Sequence, residues 1–222
     1  PGQKLARALT ELGPSFIKLG QFAATRADLV GEQVAADLSE LQDRLAPFAS
    51  AEARRIVETE LEAPLDSVFV EFAEQPVSAA SIAQVHYAVT RPDPEREEEA
   101  PREVAVKILR PGIEAAFERD LELFRWIAAL AERSAPKARR LKPRAGVEVF
   151  AETVWIEMDL RMEAAAAAEL ARNFAGDESY RVPEVDWGRT SRRVLTPTRL
   201  SGIRLPDRQA LLAAAPGLPE AL

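Results

Sequence analysis

Residues 103–109 read Glu-Val-Ala-Val-Lys-Ile-Leu, a run of apolar and β-branched residues that contains one lysine. Such a composition is typical of a strand. Upstream, residues 68–72 and 82–89 show apolar residues in alternation, which predicts two more strands with one buried face each. The three segments predict a three-stranded antiparallel meander. The side chains predicted to face its core are Val68, Val70, Phe72, Val85, Tyr87 and Val89.

Two different connections join these strands. The first, residues 76–81, reads Pro-Val-Ser-Ala-Ala-Ser and is a turn of small residues. The second, residues 91–102, carries three prolines and five acidic residues, which is typical of an exposed loop.

Helical periodicity flanks the meander on both sides. The first helical segment is broken by Gly13 and Pro14, which predicts two helices that meet at a bend, and Ser50 is placed to cap a later helix. Two short strands are predicted near the end, at residues 180–185 and 192–196. The pattern predicts an α+β fold. The helical segments are residues 4–25, 31–41, 50–61, 112–132, 147–174 and 206–214.

Composition narrows the class of protein. With 222 residues, 47% of them hydrophobic, the chain can form one or two packed domains. Its 29 basic and 36 acidic side chains give a formal charge of -7, which does not favour nucleic acid as a partner. Cysteine is absent and histidine occurs once, so the sequence predicts no disulfide, thiolate nucleophile or metal site. No apolar stretch reaches the roughly 18 residues of a membrane span, and we expect a soluble intracellular polypeptide.

Lys107 lies in the third predicted strand between apolar neighbours. Burying a lysine there costs free energy unless a partner offsets its charge. In the small lobe of a protein kinase, the lysine at this place binds the α- and β-phosphates of ATP and pairs with a helical glutamate. The alternative is a structural lysine on an edge strand.

The turn formed by Ser78, Ala79, Ala80 and Ser81 lies where ordinary kinases place a glycine-rich loop over the phosphates. Small side chains still let the backbone approach a nucleotide. Alanine has less conformational freedom than glycine, so we expect a stiffer loop. An ordinary hairpin connection is the other interpretation.

Lys18 and Gln21 lie three residues apart in the string Lys-Leu-Gly-Gln, so on a helix they share a face. Gly20 between them has a lower helix propensity than alanine, and its presence suggests close contact with another backbone. A bent surface helix is the alternative.

Three acids lie on the helix predicted over residues 147–174, namely Glu157, Asp159 and Glu163. On one continuous helix Asp159 and Glu163 share a face, whereas Glu157 lies about 200° from Asp159 around the axis. Such acids can serve two neighbouring elements. The alternative is that they are solvated surface groups.

Four stretches together carry a family resemblance. They are residues 12–21 (LGPSFIKLGQ), 76–86 (PVSAASIAQVH), 104–107 (VAVK) and 157–163 with its alanine-rich continuation. In order and spacing they resemble the UbiB family of atypical protein-kinase-like proteins, which is linked to ubiquinone biosynthesis. The resemblance implies a kinase-like N-lobe, built from an antiparallel sheet and packed helices, with a helical extension lying across the active site.

The resemblance also implies domains. Residues 1–66 would be the helical N-terminal extension that carries the KxGQ motif. Residues 67–204 would be the kinase-like N-lobe with inserted helices, and residues 205–222 the start of a truncated C-lobe. The chain begins without an initiator methionine and ends before any catalytic-loop Asp and Asn, so it is interpreted as a fragment.

Each singled-out residue receives an implied role from the family. Lys107 would bind ATP and pair with Glu163, and Lys18 and Gln21 would meet the family's ExD acids, Glu157 and Asp159. Ser78, Ala79, Ala80 and Ser81 would form the Ala-rich loop over the nucleotide. The Mg²⁺ ligands would lie in the missing C-lobe. Ser78 departs from the alanine that is commoner in the family, and Pro197 and Thr198 depart at the hinge.

For the parent protein the resemblance implies an ATP-binding atypical kinase or ATPase that supports quinone biosynthesis. The alternative is a nucleotide-responsive pseudokinase scaffold for a lipid or quinone biosynthetic complex. A conventional protein kinase fits least, because the extension would obstruct a protein substrate. The implied partners are a nucleotide, lipid or quinone intermediates and quinone-biosynthesis proteins, and the implied location is the cytoplasm of a bacterium, peripheral to the inner membrane.

Residues 133–144 hold six basic side chains and no acid. Such a stretch attracts an anionic membrane surface if its side chains face one way. A solvated connection between two helices is the alternative.

Overall fold

The computed structural model describes residues 2–39, 41, 45–92, 100–134 and 136–203. The helix predicted over residues 206–214 and the acidic part of the second connection lie outside the described residues. The α-helices are α1 (Gly2–Leu12), α2 (Pro14–Ala24), α3 (Ala27–Val30), α4 (Glu32–Ser39), α5 (Ser50–Glu60), α6 (Leu65–Val68), α7 (Ile113–Ser134), α8 (Pro136–Leu141), α9 (Pro143–Glu157) and α10 (Leu160–Asn173). The strands are β1 (Phe69–Phe72), β2 (Ser78–Ala79), β3 (Ala83–Thr90), β4 (Glu103–Leu109) and β5 (Val194–Leu195).

The strands form one antiparallel sheet. β3 pairs with β1 and β2 along one edge and with β4 along the other, and β5 pairs with the far side of β4. The predicted meander of β1, β3 and β4 is confirmed, and so is the α+β fold. Lys107 lies opposite Val85 on one side and Leu195 on the other. Lys107 is therefore in the interior of the sheet, so the edge-strand interpretation is wrong.

The buried face of β3 is the opposite of the predicted one. Gln84, His86, Ala88 and Thr90 are buried, whereas Val85, Tyr87 and Val89 are only partly buried. The reason is that α5 packs on the face of the sheet that contains Ala88 and forms a core with it. The family resemblance implied instead that α5 belongs to the extension. The other face is left to line a cleft.

The first strand also departs from simple alternation. Val68 ends α6, Phe69 is buried and Val70 is exposed. The pairing of β1 with β3 shifts register between Phe69 and Glu71, and an irregularity of this kind interrupts the period of two.

A second core lies between the helices. Phe117 and Phe124 of α7 pack with Phe150 of α9, at ring-centroid distances of 5.7 and 6.0 Å. Helix α2 joins this core through Phe16, whose ring meets Phe124 edge to face at 5.0 Å, and through Phe22 at 5.6 Å from Phe150. These aromatic contacts hold the N-terminal helices against the lobe.

The two predicted helices that meet at Gly13 and Pro14 are confirmed as α1 and α2. Gly20 has a different role from the predicted one, however. A Cβ at this position would overlap the side-chain ends of Leu9 and Leu41, which with Leu38 form the small core of the N-terminal helices themselves. Gly20 therefore makes room for packing inside the extension, and not for a neighbouring backbone.

The single helix predicted over residues 147–174 is wrong. Helix α9 ends at Glu157 and α10 begins at Leu160. Asp159 has extended dihedrals (φ -112°, ψ 95°), and its carboxylate accepts a hydrogen bond from the backbone N–H of Arg161 at 3.1 Å. It is the N-cap of a new helix, and this local bond overrides the apolar periodicity that runs through the break. The predicted angles between the three acids are therefore wrong too.

Two smaller expectations also differ from the structure. The N-cap position before α5 is held by Ala49, so Ser50 is the first helical residue and not the cap. The strand predicted over residues 180–185 is reduced to a single bridge between Val185 and Pro197. The basic stretch contains a short helix, α8, which begins at Pro136, and proline is compatible with a first helical position.

Candidate functional site

A cleft of about 510 Å³ lies beside the partly buried face of the sheet. It is bounded by the sheet, by the junction of α9 with α10, and by α2. Lysines and glutamates share it with apolar side chains. The lining residues are Lys18, Ala80, Ile82, Ala83, Lys107, Ile156, Glu157, Met162, Glu163 and Ala166.

Lys107 and Glu163 form the first ion pair of the cleft. The Lys107 Nζ lies 2.6 Å from the Glu163 Oε2, and the lysine side chain is 29% exposed. β4 presents Lys107 on the cleft face, and Glu163 lies in the first turn of α10, where the helix dipole favours a negative charge. The fully buried Ala164 lets this turn pack closely on the lobe. The contact predicted between the two side chains is present.

Lys18 and Glu157 form the second ion pair. The Lys18 Nζ lies 2.7 Å from the Glu157 Oε2, and the lysine side chain is only 14% exposed. Lys18 comes from α2 and Glu157 is the last residue of α9, so this bridge ties the N-terminal helices to the edge of the cleft. Gln21 lies on the same helix as Lys18, partly buried.

Asp159 is not among the residues that line the cleft. Its carboxylate accepts two hydrogen bonds from the Arg161 guanidinium, at 2.8 and 2.6 Å, in addition to capping α10. These hydrogen bonds from Arg161 hold the pKa of the Asp159 carboxyl below its usual value. The two acids assigned to one motif therefore do different things: Glu157 meets the extension, and Asp159 begins the helix that carries Glu163.

Replacing Asp159 by alanine is expected to raise hydrogen-exchange rates in the first turn of α10 by roughly fivefold, because loss of an N-cap costs about 1 kcal/mol. Asp159→Asn is the matched control, since asparagine caps equally well. Equal acceleration in both variants at neutral pH would assign the effect to the ion pair with Arg161 instead.

Because the pKa of the Asp159 carboxyl is lowered in the folded protein, the carboxylate stabilises the fold at pH values above its unfolded pKa. This stabilisation is lost as the pH falls through the folded pKa.

The Ala-rich loop takes up an ordinary backbone conformation. Ser78 and Ala79 form β2, with Ser78 exposed, Ala80 lines the cleft and Ser81 is fully buried. Among the described residues, positive φ outside glycine occurs only at Glu62 and Lys142. The loop therefore needs no glycine, because none of its residues enters the left-handed region.

Both backbone groups of Ala80 are already engaged. Its N–H donates to the Ala83 carbonyl at 2.7 Å, and its carbonyl accepts from the Arg110 guanidinium at 2.9 and 3.0 Å. Sequence reasoning missed Arg110, because nothing marks it except its place directly after β4. It also missed the apolar lining by Ile156, Met162 and Ala166, although the four-residue spacing of Met162 and Ala166 on a helix signals a shared face.

The described part of the chain holds no group of three or more His, Cys, Asp or Glu side chains that could bind a metal ion. In the same residues no helix has both the length and the apolar character needed to cross a membrane.

A sequence profile of the ABC1 atypical kinase-like domain matches residues 40–217, which is most of the chain. The chain belongs to this family. Lys107, Glu163 and Glu157 fall inside the matched ABC1 domain, whereas Lys18 and Gln21 precede it.

Two relatives of the chain are each named "Probable protein kinase UbiB". The one from Marinobacter nauticus is 42% identical over 210 residues, and the one from Xanthomonas euvesicatoria pv. vesicatoria is 43% identical over 213 residues. These alignments cover 95% and 96% of this chain but only 37% and 38% of the relatives. The resemblance to UbiB is confirmed, and the chain spans little more than a third of the length of these relatives.

Among solved structures, the chain is similar to Rv3197 from Mycobacterium tuberculosis, determined in complex with erythromycin. The TM-score is 0.58 at 26% sequence identity, over 84% of this chain and 44% of that one. With the ABC1 profile, this similarity confirms the kinase-like class of the fold.

Proposed function

We propose that this chain is the nucleotide-binding lobe of an atypical kinase or ATPase that supports quinone biosynthesis, with ATP as the nucleotide. The observation that carries the proposal is the Lys107–Glu163 ion pair, 2.6 Å long, inside a cleft of about 510 Å³ in an ABC1 kinase-like chain. In kinases a pair of this kind orients the lysine toward the α- and β-phosphates. The Mg²⁺ ligands would come from a part of the protein beyond this chain.

The cleft suits a nucleotide in two respects. Ile82 and Ala83 line the same cleft as Lys107, so a small apolar patch accompanies a cationic group that can meet phosphate. An adenine ring would pack on the patch while the Lys107 ammonium bonds phosphate oxygens. Ala80 borders the same space and would limit how far the phosphates extend.

We further propose that the extension excludes protein substrates and leaves room for a nucleotide and a small lipid or quinone intermediate. The Lys18–Glu157 bridge and the two aromatic contacts of α2 hold the extension against the cleft edge. Ile156 and Met162, 56% and 51% exposed, give the opening an apolar character that fits such a molecule. The extension proper would comprise α1 to α4, since α5 packs on the sheet.

Calorimetric titration of ATP and ADP into the full-length protein, with and without Mg²⁺, tests the proposal. Saturable binding together with phosphate release is the expected result. Absence of binding would contradict it, and binding without turnover would favour the scaffold alternative. Quinone content in cells that lack the protein tests the biosynthetic part.

A membrane surface is the second partner that we propose, and α7 supports it. Four of its apolar side chains are 43–62% exposed and recur at intervals of three, one and three residues, so they form one stripe. A tryptophan in such a stripe, next to a basic segment, is typical of a helix that lies on an anionic lipid surface. Arg133, Arg139, Arg140, Lys142 and Arg144 are exposed directly after it. The stripe residues are Leu123, Trp126, Ile127 and Leu130.

Neutralising Arg139 and Arg140 as glutamines is expected to weaken binding of the full-length protein to anionic vesicles by roughly 30-fold, since each basic residue near the surface contributes about 1 kcal/mol. Trp126→Ser should weaken binding to both anionic and neutral vesicles. Arg7→Gln, at an exposed position on α1, is the control. Equal flotation of all variants with both kinds of vesicle would contradict a lipid-binding role for this surface.

A further inference from the structure

The segment that connects the extension to α5 meets the Ala-rich loop at one side chain. Arg110 follows β4 and donates from Nη2 to the Ala46 carbonyl at 3.0 Å, and from Nε and Nη2 to the Ala80 carbonyl. Its guanidinium also lies 5.8 Å from the ring centroid of Phe48. One guanidinium thus contacts two segments: residues 45–49, here called the linker, and the loop of residues 78–81.

A second set of bonds runs through the buried face of β3. The Gln84 side chain accepts from the Phe48 N–H at 3.0 Å, and its amide nitrogen lies 2.8 Å from the His86 Nε2. Because the amide nitrogen can only donate, Nε2 accepts, and the protonated Nδ1 donates to the Ala73 carbonyl at 2.8 Å. Burial lowers the pKa of His86, consistent with this neutral form. The linker is therefore tied to β3 independently of Arg110.

From these contacts we infer that Arg110 is a positioning residue that couples the linker to the Ala-rich loop, so that the two segments open together. The linker joins the extension, α1 to α4, to the rest of the chain, so a ligand that moves the loop also biases the position of the extension. Thermodynamic linkage makes this reciprocal: displacement of the extension changes the affinity of the loop for its ligand. Only this ligand-dependent consequence rests on the proposed nucleotide function.

The chemistry of arginine suits this role. Its planar guanidinium presents several N–H groups in a fixed fork, so it can hold two carbonyls from different segments at once. A lysine at the same position keeps the charge, but its single ammonium group lacks that fixed geometry. Arg110→Lys therefore separates the effect of the charge from the effect of the two-carbonyl contact.

Hydrogen exchange in the full-length protein without ligand tests the coupling. In Arg110→Met, exchange in the linker (residues 45–49) and in the loop (residues 78–81) should accelerate together by about tenfold, because a hydrogen-bonding charged group is lost from both. Arg110→Lys should show part of this acceleration. Arg125→Met is the matched control, since Arg125 bonds Glu148 between α7 and α9, away from both segments. Acceleration of only one segment, or of neither, would overturn the inference.

A merely structural role predicts a different pattern. If Arg110 only stabilised the lobe, exchange would accelerate across β3 and β4 as well, and the melting temperature would fall in parallel. Acceleration confined to the linker and the loop is the result that supports positioning. General acceleration in Arg110→Met, together with unchanged linker exchange in Arg110→Lys, would count against it.

Adding ATP separates this inference from the proposed function. In the unmodified protein ATP should alter exchange in the loop and the linker, whereas in Arg110→Lys the linker response should shrink while the loop response remains. A linker response that persists undiminished would overturn the coupling. If ATP changes neither segment in the unmodified protein, nucleotide binding is contradicted, and the ligand-free comparison still decides whether Arg110 couples the two segments.

Discussion

Lys107→Met in the full-length protein is expected to weaken ATP binding by roughly 10- to 100-fold, because hydrogen bonds to a charged group contribute about 1.5–3 kcal/mol. The variant removes the cation that we propose to meet phosphate and leaves Glu163 facing the same space. Repulsion between that carboxylate and the phosphates adds to the loss. Titration calorimetry with ATP measures the effect.

The matched control for this loss is Lys4→Met, which removes an exposed lysine from α1. Glu163→Gln is a second comparison: it keeps the shape of the side chain but removes its charge, so Lys107 is less firmly oriented and a smaller loss is expected. Both pair members are partly exposed, so the melting temperature should change little. Equal ATP affinity in the Lys107 variant and the Lys4 control would contradict the assignment of the cleft.

Lys18→Glu is expected to loosen the extension, raising hydrogen-exchange rates in α2 by roughly tenfold. It replaces a 2.7 Å attraction with a repulsion at a position where the lysine side chain is mostly buried. We assign about 1–2 kcal/mol to the change, since Glu157 is 41% exposed and water screens the pair. The contacts of Phe16 and Phe22 remain, so the extension should loosen without detaching.

The charge-swapped double variant, Lys18→Glu with Glu157→Lys, tests the same bridge from the other side. Restoring an attraction should return the exchange rates of α2 toward those of the unmodified protein, and the double-mutant cycle measures the coupling.

Lys18→Ala in the full-length protein should also change substrate selectivity, since the extension would cover the cleft less tightly. Unchanged selectivity would count against occlusion, even if the bridge itself is present.

Local sequence patterns predicted much of the secondary structure of this protein. The period of the apolar residues was sufficient to predict α1, α2, α5 and α7, and the apolar run at residues 103–109 was sufficient to predict β4, because helix and strand periods depend on neighbouring residues. The resemblance to the UbiB family implied the contacts of Lys107 with Glu163 and of Lys18 with an ExD acid, and both ion pairs are present. The residues alone indicated only that a partly buried lysine needs a partner, because burying an unpaired charge is costly.

Only the tertiary structure decided which face of β3 is buried. Polar Gln84 and His86 face inward because the linker and Ala73 supply hydrogen-bond partners from distant parts of the chain, which no local pattern contains. The separate roles of Glu157 and Asp159 likewise follow from the helix break, where a capping bond prevails over apolar periodicity. Arg110 connects two segments far apart in sequence, and a single side chain with several fixed donors can do this only once the fold has brought two carbonyls within its reach.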